Sequence, residues 1–343
     1  MATGPADTCG DLIYAGIDEA GYGPLLGPLC SALVVVRCAG LGGAPSAPDL
    51  WRALGDVVCR EPADAGTSRI AVGDSKRLKL SNSGARHPLT HLERGVLAFA
   101  GAQGSVPPTD ADLFERLGAP VDALPWYGGD AAPLPATTTA DHLHLLTARL
   151  REAMADAGVE LVDMRTCMAH EGAFNEMLAD CGGKAGVGMR LVAMLASRVW
   201  RSEAALGAKA APRLVVDRQG GRMRYGGELG RMFPGATVDV VAEAAAGSVY
   251  DVSKREPAGI RRMRIAFVRE AETAHLPVAL ASMIAKLTRE LMMARFNRYW
   301  CGRIAELKPT AGYVADGRRW LADVRRLAPG TEESILRSLC RNA

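Results

Sequence analysis

The 343-residue chain has no apolar stretch approaching the roughly 20 residues that a membrane-spanning helix needs; its longest, such as Cys30 to Val36, fall far short. It also lacks a basic N-terminal segment followed by an apolar one. No membrane association is therefore expected, and a cytoplasmic location is the default. None of the 8 cysteines (Cys9, Cys30, Cys38, Cys59, Cys167, Cys181, Cys301, Cys340) belongs to a CxxC pair. That excludes a zinc ribbon and a dense disulfide framework and leaves reduced, packed thiols as the expectation. Histidine is scarce at 6, and the closest pair, His142 and His144, has a spacing that shares a face only on a strand. A histidine metal site is not expected. Net charge is also small: 41 Lys plus Arg against 38 Asp plus Glu leaves +3. No global field marks a histone-like or membrane-surface protein, so any contact with nucleic acid must come from a local patch.

What is present is an ordinary globular composition, 48% hydrophobic and 23% charged, which excludes a disordered, collagenous or coiled-coil chain. Residues 12 to 17, LIYAGI, form a short apolar run that ends at Asp18 and Glu19. A Gly- and Pro-rich loop, GYGPLLGP, follows, and then a second run, LCSALVVVRC, whose Val cluster favours a buried strand. Residues 101 to 140 are rich in Gly, Pro, Asp, Thr and Ala and read as a surface insertion or boundary without one rigid conformation. From 141 to 206 the spacing predicts two amphipathic helices with a strand, VELVDM, between them. RLVVD at 213 to 217 is another short strand ending in a carboxylate and followed by a QGG turn. Further strands are predicted within 236 to 252 and at 263 to 268, before a long helix over 277 to 300 with Pro277 in its first turn. The expected fold class is α/β, with carboxylates at strand ends of a parallel or mixed sheet.

Adjacent carboxylates at the end of an apolar strand raise one another's pKa and are costly unless a cation, such as a hard divalent ion, neutralises them. If Asp18 continues the strand, Glu19 points to the opposite face, and the two reach a common ion only where the chain turns, a turn that AGYG supplies. No persuasive Ser/His/Asp or Cys/His set accompanies them. Ser282 and Lys286, four residues apart on the predicted helix, are read as packing and hydrogen-bonding groups before a serine-lysine nucleophile.

YAGIDEAGYGPLLGPL at 14 to 29 resembles the opening of type 2 ribonucleases H. Four further segments occur in the family's order: VGDSKRL at 72 to 78, VVD at 215 to 217, ALASMIAKLTRE at 279 to 290 and AGYVADGRRWL at 311 to 321. The resemblance implies an RNase H-like fold, a mixed central sheet flanked by helices, in a domain spanning 10–328. Insertions at about 97–140 and 222–262 would interrupt it, the second as an inserted or extended hairpin, and 329–343 would form a tail. It further implies hydrolysis of the RNA strand of RNA/DNA hybrids, or at ribonucleotides embedded in duplex DNA, to 5′-phosphate and 3′-hydroxyl ends. Two Mg²⁺ or Mn²⁺ ions would be held by Asp18, Glu19, Asp217 and a fourth carboxylate. That place matches Glu272, where the family has Asp, with Glu270 the second candidate.

The residues matching the family's substrate contacts are Gly21, Tyr22, Gly23 and Tyr313, with Ser75, Lys76, Ser282 and Lys286 near them. Tyr22 stands where the family has a basic residue. Lys76 and Arg77, the cluster Lys254, Arg255, Arg261, Arg262 and Arg264, and the run Arg318, Arg319, Arg325 and Arg326 are candidate phosphate contacts or simply solvated faces. A nuclease for another structured nucleic acid and a non-catalytic nucleic-acid-binding relative stand as alternatives.

Overall fold

The computed structural model describes residues 10–342 except 45, 82–83, 120, 122–123 and 207–210; Cys9 lies outside the described residues. In chain order the elements are β1 (Leu12–Ala20), β2 (Leu29–Cys38), α1 (Leu50–Ala53), β3 (Val58–Cys59), α2 (Pro62–Ala65), β4 (Ile70–Ala71) and α3 (Ser75–Leu78). There follow α4 (Thr90–Ala102), α5 (Asp110–Arg116), α6 (Ala140–Asp156), β5 (Val159–Ala169), α7 (Glu171–Cys181) and α8 (Lys184–Arg201). The remainder are β6 (Arg213–Asp217), α9 (Gly226–Met232), β7 (Thr237–Glu243), β8 (Gly247–Glu256), β9 (Gly259–Val268), α10 (Leu276–Cys301), α11 (Val314–Leu327) and α12 (Glu333–Ser338).

Seven strands form one sheet in the order β5-β2-β1-β6-β9-β8-β7. β1, β6 and β9 run parallel, β2 is antiparallel to both of its neighbours, and β9, β8 and β7 make an antiparallel meander. This is the α/β class with a mixed central sheet flanked by helices that the motifs implied. Alternation along β1 explains the two cores: Leu12, Tyr14 and Ala20 point into one, Ala15 and Ile17 into the other. α10 packs on β1 and β2 in the first core with α4 and α6 beyond it, while α8 covers the opposite face.

α10 is buried on nearly every side, which is why it carries small residues, Ala279, Ala281 and Ala285, among its larger ones. Its first turn crosses β1 at Gly16, where a Cβ would lie 2.3 Å from the Val278 nitrogen. Backbone cannot yield as a side chain does. Gly16→Ala is therefore expected to cost at least about 1–3 kcal/mol, the usual range for overpacking, seen as a lowered thermal midpoint.

The reading of 101 to 140 as a surface segment without one conformation does not hold for its described residues. Leu113, Phe114, Leu117, Trp126, Tyr127 and Leu134 are buried in the α10 core. Glu93 of α4 accepts the Ala136 and Thr137 N–H groups at 3.0 and 2.8 Å, and Arg295 of α10 grips Asp110. The polar composition disguised the segment because its backbone and charges are satisfied by buried side chains rather than by water.

The 222–262 region extends the sheet through β7, β8 and part of β9. Tyr225 stacks on Phe267 at 3.6 Å, and its N–H donates to the Tyr250 hydroxyl at 2.8 Å. Residues 333–342 also pack, with Leu336 and Leu339 in the α10 core. The helices predicted in 141–206 and the strand between them are α6, β5 and α8; α7 was not anticipated. His142 and His144 lie on α6, not on a strand. The seven described cysteines are free thiols, and no helix among the described residues is long and apolar enough to cross a membrane.

Candidate active site

β1 and β6 pair in parallel with Ile17 beside Val216, so the next residues, Asp18 and Asp217, stand side by side at the same end of the sheet. By the alternation of their strands both face the α10 side. Glu19 leaves the strand on the other side, beside Gln219, which packs against Gly188 of α8. β1 runs through Ala20, so AGYG does not supply the turn expected between the two adjacent carboxylates; they leave the strand on opposite faces, yet both remain in the field of Asp217.

Their electrostatics are strained. Asp18 is only 8% exposed, and burial, then Glu19 and Asp217, pushes its carboxyl well above the ordinary range. Its Oδ1 accepts the Glu19 N–H at 2.7 Å, and Ser282 of α10 stands within reach of it. Burial and Asp217 push Glu19 up to about 7, with Gln219 and Lys76 opposing the rise. Asp217 is raised by burial despite the Ala271 N–H donating to its Oδ1 at 3.0 Å.

Glu272, half-buried in the short turn Ala271–Thr273, is raised by burial and by Asp217 and Asp74, and lowered by Lys76. Glu270 is exposed, holds a left-handed backbone with φ of 52°, and pairs with Arg269 at 3.1 Å, though Asp217 also feels its charge. Both candidates for the fourth place therefore border Asp217. Glu272 is the more enclosed of the two.

Lys76 is the cation held in common, since it opposes the rise of Glu19, Asp217 and Glu272. It lies at the start of α3, where Asp74 accepts its backbone N–H at 2.9 Å. Ser75 is buried, and its hydroxyl meets that of Ser282 at 2.9 Å. Lys286 is directed elsewhere: its ammonium lies 2.8 Å from Glu290, which Lys79 also holds at 2.9 Å. No hydrogen bond joins Ser282 to Lys286 among the described residues, so the serine-lysine arrangement has no support.

Beside the acidic groups the loop 21–28 is zipped to the loop before α11, with Leu25 and Leu26 donating to the Gly312 carbonyl at 2.8 and 3.0 Å. Gly21 has φ of 92°, and a Cβ there would meet the Pro28 carbonyl oxygen at 2.7 Å; Gly312, at 81°, would meet that of Leu26 at 2.4 Å. Both positions demand glycine. A Cβ at Gly23 would meet nothing within 4 Å, so packing does not require glycine there. Tyr22 is 39% and Tyr313 50% exposed. Tyr22 lies in the field of Glu19 and of Arg222, and the latter is paired with Glu228.

The other basic runs are largely neutralised within the chain. Arg319 binds Asp316 and Asp323, Arg326 binds Asp323, and Arg325 binds Glu333. Arg261 binds Glu256 and Arg264 binds Asp251. Among the described candidate phosphate contacts, Lys76 lies in the field of the carboxylates.

A hard divalent cation suits the donor chemistry: buried carboxylates that repel one another, and beside them the Gln219 amide, buried without a hydrogen bond of good geometry. Its shell is not preassembled. Among the described residues no group of three or more His, Cys, Asp or Glu side chains is arranged to hold a metal ion as it stands. Gln219 was missed in the sequence, although its place two residues beyond Asp217 was a usable signal. Arg289 and Arg341, which contact these loops from behind, gave none.

No family model matches the sequence, and no curated protein matches it. Solved structures do. The chain is similar to RNase HII of Archaeoglobus fulgidus, solved in complex with PCNA, at 17% identity over 96% of this chain and 94% of that one, with a TM-score of 0.44. It is similar to the Bst-RNase HIII solved with Mn²⁺ at 13% identity, covering 97% of this chain and 67% of that one, TM-score 0.40. Against ribonuclease H2 of Pyrococcus horikoshii OT3 the identity is 15%, the coverage 95% and 92%, and the TM-score 0.38. All three are ribonucleases H, the family whose motifs this sequence resembles.

Proposed function

We propose that the chain is a metal-dependent endoribonuclease of the ribonuclease H type. It would cut the RNA strand of RNA/DNA hybrids, or at a ribonucleotide embedded in duplex DNA, leaving 5′-phosphate and 3′-hydroxyl ends. The observation that carries this reading is the pairing of Asp18, buried, and Asp217, half-buried, on adjacent parallel strands, repelling one another and flanked by Glu19 and Glu272. A surface evolved only to bind a polyanion would not gather carboxylates. Asp18, Glu19, Asp217 and Glu272 would hold Mg²⁺ or Mn²⁺. Two such ions supply an activated water and stabilise the leaving oxygen of a phosphodiester.

The chain's own groups would do the remainder. Lys76 would neutralise a phosphate oxygen brought to the acidic cluster. The exposed loop at Gly21, Tyr22 and Gly23 and the ring of Tyr313 would lie against the minor groove, where the 2′-hydroxyl distinguishes RNA from DNA. Ser75 and Ser282 hold α3 to α10 and so position Lys76. The reduced state expected of the thiols suits a cytoplasmic site of action.

The test uses two labelled duplexes, one with a lone ribonucleotide and one with a continuous RNA strand, in Mg²⁺, in Mn²⁺ and in EDTA. Cleavage of at least one duplex in either metal, abolished by EDTA, is the expected result; an intact pair under every condition would defeat the reading. Tyr22 and Glu272, which stand where the family has a basic residue and an Asp, favour one alternative, a non-catalytic hybrid binder, which predicts binding without turnover at any divalent concentration.

A further inference from the structure

Arg341 is 2% exposed and lies 320 residues from the loop it touches. Its Nη1 donates to the Gly21 carbonyl at 2.7 Å, its Nη2 donates to that of Pro24, and its backbone N–H donates to that of Leu25 at 2.9 Å. The guanidinium lies over the ring of Phe174 at 4.8 Å. Asn175 fastens the segment, donating to the Cys340 carbonyl at 2.9 Å and accepting the Asn342 N–H at 2.7 Å.

Peptide geometry turns these contacts into a constraint. In a trans peptide the carbonyl and the N–H point in opposite directions. Holding the Gly21 carbonyl inward therefore turns the Tyr22 N–H outward, where it has no acceptor among the described residues. The next two held peptides are gripped on both sides: the Pro24 and Leu25 carbonyls by Arg341, the Leu25 and Leu26 N–H groups by the Gly312 carbonyl. Tyr313 follows Gly312 directly, so one side chain ties both aromatic loops into a single unit. A lysine offers a point charge where this site uses a planar fork. Arg289 backs the same unit, donating to the Leu26 and Ala311 carbonyls at 3.2 and 3.0 Å, and Glu171 accepts the Gly27 N–H at 2.9 Å.

We propose that Arg341 is a positioning residue that holds the Gly21–Tyr22–Gly23 loop, and through Gly312 the Tyr313 loop, in the shape that meets nucleic acid. Residues 333–342 are then part of the substrate-binding apparatus. This rests on the proposed function only in naming the ligand.

The experiment compares wild type, Arg341→Met and Arg341→Lys by amide hydrogen exchange over residues 20–27, thermal midpoint, and kcat and KM on an RNA/DNA hybrid. In folded Arg341→Met, exchange is expected to quicken about 10-fold or more, the equivalent of one charge-assisted hydrogen bond. KM is expected to rise by about 10-fold while kcat stays within about 3-fold, the signature of lost binding geometry. Arg341→Lys, which keeps the charge but replaces the planar fork with a compact ammonium, is expected to fall between the two, and it carries the test if the Met variant does not fold. Unchanged loop exchange in whichever variant folds would overturn the proposal, as would a fall in kcat with KM unmoved. A wild type that neither cuts nor binds hybrid would defeat the proposed function instead, and the exchange measurement would still decide whether Arg341 holds the loop.

Discussion

Asp18→Asn is expected to lower hybrid cleavage by more than about 100-fold, beyond the 10–100-fold typical of groups that merely support a metal ligand, and to raise the thermal midpoint of the metal-free protein. The two effects share a cause. Asp18 is buried beside Glu19 and Asp217 with its carboxyl pushed well above the ordinary range, so near neutral pH its charge opposes folding. Asn keeps the shape and can still accept the Glu19 N–H, but removes that charge. Each kcal/mol of repulsion relieved corresponds to about 2–4 °C in a large domain. Wild type should gain midpoint when Mg²⁺ replaces EDTA, and the variant should gain less, because a ligand that binds the folded state stabilises it in proportion to its affinity. Melting curves in EDTA and in Mg²⁺, beside initial rates, make the check. Lost activity with a lowered midpoint would assign Asp18 a structural role, and retained activity would remove it from the site.

Much of this site was legible in the sequence because its cause is local. A short apolar run leading into a carboxylate leaves a mark in the sequence, as LIYAGI before Asp18 in β1 and LVV before Asp217 in β6 do. Parity put Glu19 on the face opposite Asp18 only if the strand continued, and β1 does continue, through Ala20, where AGYG was expected to turn the chain. What stayed hidden depends on partners far along the chain. Arg341 and Gly21, Glu171 and Gly27, and Arg295 and Asp110 meet only through the fold, and a lone Arg or Glu carries no periodicity that would single it out. The basic runs stayed open for the same reason. Arg319 and Arg325 stood as phosphate contacts or a solvated face until α11 brought Asp316 and Asp323 onto the same face and α12 brought Glu333 against it. Residues 101 to 140 were misjudged because composition reports polarity, not whether the polar groups are paired inside.

The pairing of Asp110 with Arg295 sets the other large expected effect. Both side chains are at most 3% exposed, and the guanidinium meets the carboxylate through two hydrogen bonds, of 2.8 and 2.7 Å. Arg295 also donates to the Tyr127 carbonyl at 3.1 Å, and Asp110 accepts the Ala132 N–H at 2.8 Å. One ion pair thus fastens three points of the 110–132 region to the central helix. Removing one partner leaves the other charged and buried, so Asp110→Ala is expected to lose about 3–5 kcal/mol, and Arg295→Met a similar amount. The double variant removes both charges and leaves only neutral groups to satisfy. It should cost at least about 2 kcal/mol less than the sum of the singles, within the range of coupling found for residues in direct contact. Urea denaturation of the four proteins closes the cycle. Additive losses would mean that the pair is not the fastening, and that the hydrophobic set around Phe114 and Tyr127 holds the region to α10 without it.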